Sequence, residues 1–137
     1  MALVVVVSTI SGSPYYCTGS IIKAQWILTA AHCFFDSNGT EADFVEVRGG
    51  NAYFQFLTYF TVNTFIIHED YFKSEHNVGD FGGPVMVFDG TYYKLVGIAS
   101  YAEPGDCSDY DEYYILYTRV SYYLDWITNN TGGTDCL

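Results

Sequence analysis

The sequence predicts an all-β protein closed by one C-terminal helix, and three observations carry that prediction. Tyr contributes 14 residues and Phe 10, and with Val, Ile and Thr they form short runs broken by Gly, Asn and Asp, which favours strands. Asp89-Gly90 lies between two apolar runs, a strong hairpin signal. Only Ser121 to Thr128 spaces its apolar residues, Tyr122, Tyr123, Trp126 and Ile127, as one face of a helix, with Ser121 as its cap. The 137 residues, 50% hydrophobic, suffice for one domain with a real core.

In chain order, residues 2 to 10 read as a strand. Ser11-Gly-Ser-Pro14 is a turn leading into a second strand from Tyr15 to Ile22. Trp26 to Ala31 is a third apolar stretch that runs into His32-Cys33. Asp36 to Asp43 form a loop, after which strands resume at Val45 and Val47, across Ala52 to Val62, and at Phe65 to Ile67. His68 to Gly83 has no period and reads as loop. Pro84 to Phe88 and Leu95 to Tyr101 form the hairpin about Asp89-Gly90. Glu103 to Glu112 is an acidic loop, and Tyr113 to Val120 is the last strand. The aromatic residues Tyr53, Phe54, Phe56, Tyr59 and Phe60 read as core and inter-strand packing rather than a ligand surface.

Charge removes whole classes of function. Sixteen Asp plus Glu against 5 Lys plus Arg give a net charge of -11, which a nucleic acid or an anionic membrane would repel. The longest apolar stretch, Ala2 to Val7, is far shorter than the roughly 20 residues of a spanning helix. No basic residue precedes it and no small-residue cleavage site follows, so it reads as a strand rather than a signal peptide, and the N-terminus looks incomplete. Four Cys and two sequons, at Asn38 and Asn129, point to an oxidising, secretory compartment. A Cys-His metal site would need a second ligand pair at suitable spacing, and none is present.

Several segments carry a family signature: Cys17-Thr-Gly-Ser-Ile-Ile, then Trp26-Ile-Leu-Thr-Ala-Ala-His-Cys33, Gly82-Gly-Pro-Val, Leu95-Val-Gly-Ile-Ala-Ser-Tyr101, and Tyr117-Thr-Arg-Val-Ser-Tyr-Tyr-Leu-Asp-Trp-Ile127. Together they resemble the trypsin-like (chymotrypsin-fold) serine proteases. The resemblance implies an incomplete chymotrypsin-type double β-barrel with a C-terminal helix, needing no cofactor and no metal. It makes residues 1–137 a single truncated peptidase domain, with 1–82 belonging to the first barrel and 83–137 to the end of the second barrel plus the helix. His32 matches the general base that takes the nucleophile's proton and returns it to the leaving group. Cys17 and Cys33 match the disulfide behind that base. Ser100, Tyr101 and Ala102 match the strand that pairs with a substrate backbone.

Asp80 fits the family in two ways. Gly79-Asp-Phe-Gly-Gly-Pro84 resembles the nucleophile motif Gly-Asp-Ser-Gly-Gly-Pro, with Phe81 where the serine belongs. Asn77-Val-Gly-Asp-Phe-Gly82, read forward from Ile66-Ile-His-Glu-Asp-Tyr71, resembles instead the segment of the triad aspartate, at a separation from His32 close to the family's. The second register is preferred, which sets a seam near Gly82. All-β domains of this kind run to roughly 200–250 residues, so a chain of 137 residues lacks the intervening part, the serine included.

Further departures follow from the same comparison. No activation site precedes the first strand. Cys107 resembles a pocket-wall cysteine whose partner is missing; Asn77 stands in its place in the first register, and Cys107 is either free or paired with Cys136. Ile115 stands where many relatives have a pocket glycine. The acidic residues Glu103, Asp106, Asp109, Asp111 and Glu112 read as a solvated loop or as an attractor of basic peptides. The resemblance implies a secreted protein, a peptide or protein ligand, no nucleic acid and no membrane. The missing strands imply self-association through uncovered sheet edges.

Overall fold

The computed structural model describes residues 3–36, 38–51, 53–71, 82–103 and 114–133. These form nine strands, three short 3₁₀ turns and one helix, and among them no helix is long and apolar enough to cross a membrane. The all-β expectation with a C-terminal helix holds. Three sheets are present, with no closed barrel among the described residues, as in a partial chymotrypsin-like fold.

β1 (Leu3–Ile10) is an inner strand of the first sheet, and its Val5, Val6 and Val7 are buried on both faces. Val6 enters the main core, while Val5 and Val7 pack with Leu57 in a second, smaller one. Ser11 and Gly12, both at positive φ (49° and 81°), turn the chain into β2 (Ser13–Thr18) with Ile10 opposite Ser13. That is the two-residue hairpin whose twist suits the strands. The expected single strand from Tyr15 to Ile22 is broken at Gly19, and β3 (Ser20–Lys23) leaves to pair with β4 (Trp26–Leu28) in a separate ribbon. β5 (Phe44–Asn51) pairs with the other side of β1, and β6 (Thr58–Thr61) with β5, giving the order β2-β1-β5-β6.

Three expectations along this stretch are corrected. Ala52 to Val62 supplies only a 3₁₀ turn, Phe54–Phe56, and the short β6. Phe65 to Ile67 is not a strand; side chains anchor it, with the Phe65 ring stacked on Phe34 at 4.6 Å and Ile67 packed on the core. Tyr53, Phe56, Tyr59 and Phe60 are 53–68% exposed, the last two because β6 is an outer strand of its sheet and no described strand covers its far side, while the side chain of Phe54 lies outside the described residues.

The third sheet is the hairpin of β7 (Pro84–Phe88) and β8 (Tyr93–Glu103) extended by β9 (Tyr114–Arg119). Asp89 organises its turn: its carboxylate accepts the amides of Thr91 and Tyr92 at 2.9 Å and pairs with Lys94 at 2.8 Å. These donors, Lys94 foremost, hold its pKa far below the ordinary carboxylate value. A 3₁₀ turn, Val120–Tyr123, then feeds α1 (Leu124–Thr131). Ser121 lies inside that turn and does not cap the helix, whose N-cap position is Tyr123 with no side-chain bond. At the other end, Gly132 takes the left-handed conformation (φ 76°) and donates to Thr128 O, while Lys23 Nζ donates to Thr131 O at 3.3 Å. The lysine thus places a cation where the helix carbonyls are unpaired.

One core joins the two ends of the chain. Val6, Cys17, Cys33, Phe34, Val45 and Val47 pack in a single cluster with Ile98, Val120 and Ile127. His68 extends the contact, its ring 4.9 Å from that of Tyr123 and 5.2 Å from that of Trp126.

Candidate active site

The motif Thr29-Ala-Ala-His-Cys33 follows β4 and folds as a 3₁₀ turn, Ala31–Phe34, closed by the Cys33 amide donating to Ala30 O at 3.2 Å. Cys33 is bonded to Cys17 on β2, with the Cα atoms 6.0 Å apart. Both sulfurs are buried, so the turn is tied to the first sheet from beneath. Phe34 and Phe35 hold its far side through their stacks on Phe65 and Tyr71.

His32 is thereby fixed at the rim of the core, half buried. Burial lowers its pKa, because removing water disfavours the imidazolium. At neutral pH the ring is the uncharged form that a general base requires. The Cys17, His32 and Cys33 ligand atoms lie within 4.8 Å of one another. The two sulfurs are spent on each other, so only the imidazole nitrogen is left to ligate a metal.

Gly82 is the contact that brings the third sheet to this turn. Its φ is +94°, and a Cβ built on it would stand 2.3 Å from Thr18 O, 2.3 Å from Thr29 Oγ1 and 3.3 Å from Ala30 N. Thr29 Oγ1 donates to Thr18 O at 2.9 Å, which locks the wall against which Gly82 lies. On its other side Gly82 N donates to Ala99 O, and Ala99 N to Gly83 O, both at 2.9 Å. Residues 82–83 are therefore a stitch between the histidine turn and β8, immediately before Ser100. Sequence reasoning found the Gly-Gly pair by its motif but missed Thr18 and Thr29 as the wall it needs. A double glycine before a proline hints at a close approach without naming its partner.

Among the expected site residues, His32 follows Thr29 and Ala30, against which Gly82 lies, and Ser100 follows Ala99, to which Gly82 and Gly83 are bonded. The backbone of Tyr101 and Ala102 continues β8 and pairs with β9. Asp80 and Phe81 lie outside the described residues, as do Asn77, Cys107, Cys136, the acidic loop residues Asp106, Asp109, Asp111 and Glu112, and the side chain of Ile115. Asn38 and Asn129, the two sequon asparagines, are exposed, Asn38 in a turn beside Asp36 and Asn129 on α1.

A half-buried imidazole on a disulfide-tied turn, stitched by a tight glycine to an extended strand, defines a chymotrypsin-type arrangement. The Trypsin family model matches the chain over residues 2–77 and again over 60–127. The chain belongs to this family of trypsin-like serine proteases. It is similar to Serine protease 1 and Serine protease 2 of Drosophila melanogaster, each 41% identical over 54 residues, which is 39% of this chain and 19% of theirs. It is also similar to Vitamin K-dependent protein C of Oryctolagus cuniculus, at 50% over 50 residues, 36% of this chain and 10% of that protein. These alignments span about a fifth or less of the curated relatives' length. No solved structure matches the chain.

Proposed function

We propose that the chain is a catalytically inactive homologue of the trypsin-like serine proteases, in which the end of a first barrel is joined near Gly82 to the end of a second. One observation carries the reading: Phe81 stands in Gly79-Asp-Phe-Gly-Gly-Pro84 where the nucleophile serine belongs, and the other register of Asp80 supplies no serine either. A phenyl ring has no proton for His32 to accept and no oxygen to acylate. Loss of the serine lowers turnover by about 10⁶-fold in a serine protease of another fold. The two overlapping stretches of the family match support a chain assembled from two parts of a longer domain. The buried disulfide supports a secreted location. A fluorophosphonate probe, whose phosphorus bonds to the oxygen of an activated serine with loss of fluoride, should leave the chain unlabelled. Covalent labelling would refute this reading and favour a working endopeptidase represented by an incomplete form.

A second reading, a pseudoprotease that binds peptides, is favoured by the shape of β8. Residues 82–88 pair with β8 only as far as Ala99, whereas β8 runs on to Glu103 with β9 on its other side. Among the described residues the backbone edge from Ser100 to Ala102 is left for strand addition. Calorimetric titration with an extended basic peptide should give a saturable signal. No heat at millimolar peptide would remove this reading.

A further inference from the structure

We propose that β6 is a self-association edge: it pairs antiparallel with β6 of a second copy about a two-fold axis at Phe60, fusing two four-stranded sheets into one of eight. The inference is independent of whether the chain hydrolyses peptides.

Edge strands are ordinarily protected by a charge, a proline or a bulge. Pro14 in β2, Lys23 in β3, Pro84 in β7 and Arg119 in β9 interrupt or charge those strands, and β4 has only 3 residues. β6, Thr58-Tyr-Phe-Thr61, carries no charge, proline or bulge of its own and is exposed at every residue, although the Arg48 guanidinium of β5 lies over the Tyr59 ring at 4.8 Å. No Asp, Glu, Lys or Arg occurs from Gly49 through His68. In a chain of net charge -11, two copies repel over most of their surfaces, and this strip is where they approach without like charges meeting.

Main-chain geometry selects the register. The Val62 amide donates to Val45 O, and Val47 lies opposite Phe60. Antiparallel bonding alternates, so Phe60 and Thr58 direct their main-chain groups at β5, while Tyr59 and Thr61 direct theirs outward. Two-fold symmetry keeps each side chain on the same face in both copies, so a residue meets one of equal parity. With Phe60 opposite Phe60 of the second copy, each outward Tyr59 meets an outward Thr61, and both outward residues of each strand are satisfied. The Phe60 pair then takes the close, non-hydrogen-bonded position, which suits an aromatic pair. Phe60 is 53% exposed and Tyr59 65%, so both have area to bury. Four residues a side keep the interface small, below about 1,200 Å². Association is accordingly weak, with a dissociation constant on the order of 100 µM.

The symmetry supplies the test. In sedimentation equilibrium from 10 to 500 µM, the intact chain should shift from monomer to dimer. Phe60→Lys and Phe60→Glu each place like charges opposite one another, and each should weaken dimerisation at least tenfold. An equimolar mixture of the two should restore it, which shows that both are folded and that residue 60 meets itself. Thr61→Pro, which removes only an outward amide, should weaken dimerisation comparably. A monomeric intact chain, a Phe60→Lys or Thr61→Pro chain that dimerises as tightly as the parent, or a mixture that stays monomeric would each overturn the proposal.

Discussion

Gly82→Ala should be the most destabilising single substitution in the described chain, at about 4 kcal/mol. Two terms contribute. A φ of +94° is unfavourable to any residue with a Cβ, by about 1–2 kcal/mol. The new methyl would also stand 2.3 Å from Thr18 O and from Thr29 Oγ1. One is main chain, and the other belongs to a short side chain already bonded to it, so neither can yield cheaply; overpacking of this kind adds about 1–3 kcal/mol. Gly90→Ala is the matched control. Its φ is +99° and nothing lies within 4 Å of its Cβ position, so only the first, smaller penalty should appear. Urea unfolding followed by the fluorescence of Trp26 and Trp126 reads both. Equal losses for the two variants would mean that the stitch between the histidine turn and the third sheet is not a tight contact.

The disulfide should rank next. Cys17 and Cys33 are 16 residues apart, and closing such a loop restricts the unfolded chain by about 3 kcal/mol in the entropy model. The doubly substituted chain, Cys17→Ala with Cys33→Ala, should therefore lose about 3 kcal/mol in the same urea titration. Because a small domain has about 5–15 kcal/mol in all, either change removes a large share of its stability. A loss below about 1 kcal/mol would indicate that packing of Phe34 and Phe35 alone holds the turn.

The strands that form by local chemistry were legible in the sequence. The Leu3–Val7 run, the Ser11-Gly12 turn and the Asp89-Gly90 hairpin each announce themselves in a few residues, and the structure forms all three. What was not legible depends on partners distant in sequence. Nothing local to Phe65–Ile67 shows that it is held by ring stacking instead of strand pairing. The exposure of Tyr59 and Phe60 follows from β6 ending a sheet, a property of topology rather than of the strand itself. At the site, the histidine motif and its two cysteines were readable because the family fixes their spacing. The wall of Thr18 and Thr29 was not, because it acquires its meaning only when Gly82 is folded against it. The lack of Asp, Glu, Lys and Arg from Gly49 to His68 drew no inference from the sequence, because only the sheet order places β6 at an edge among the described residues.

The central claim is that a trypsin-family scaffold here retains its histidine turn without a nucleophile. Its most direct test is the hydrolysis of chromogenic peptide substrates covering basic, aromatic and small side chains, measured in parallel for the purified chain and for His32→Ala. The two rates should equal each other and the uncatalysed background for every substrate. Turnover by the parent chain that His32→Ala abolishes would contradict the claim.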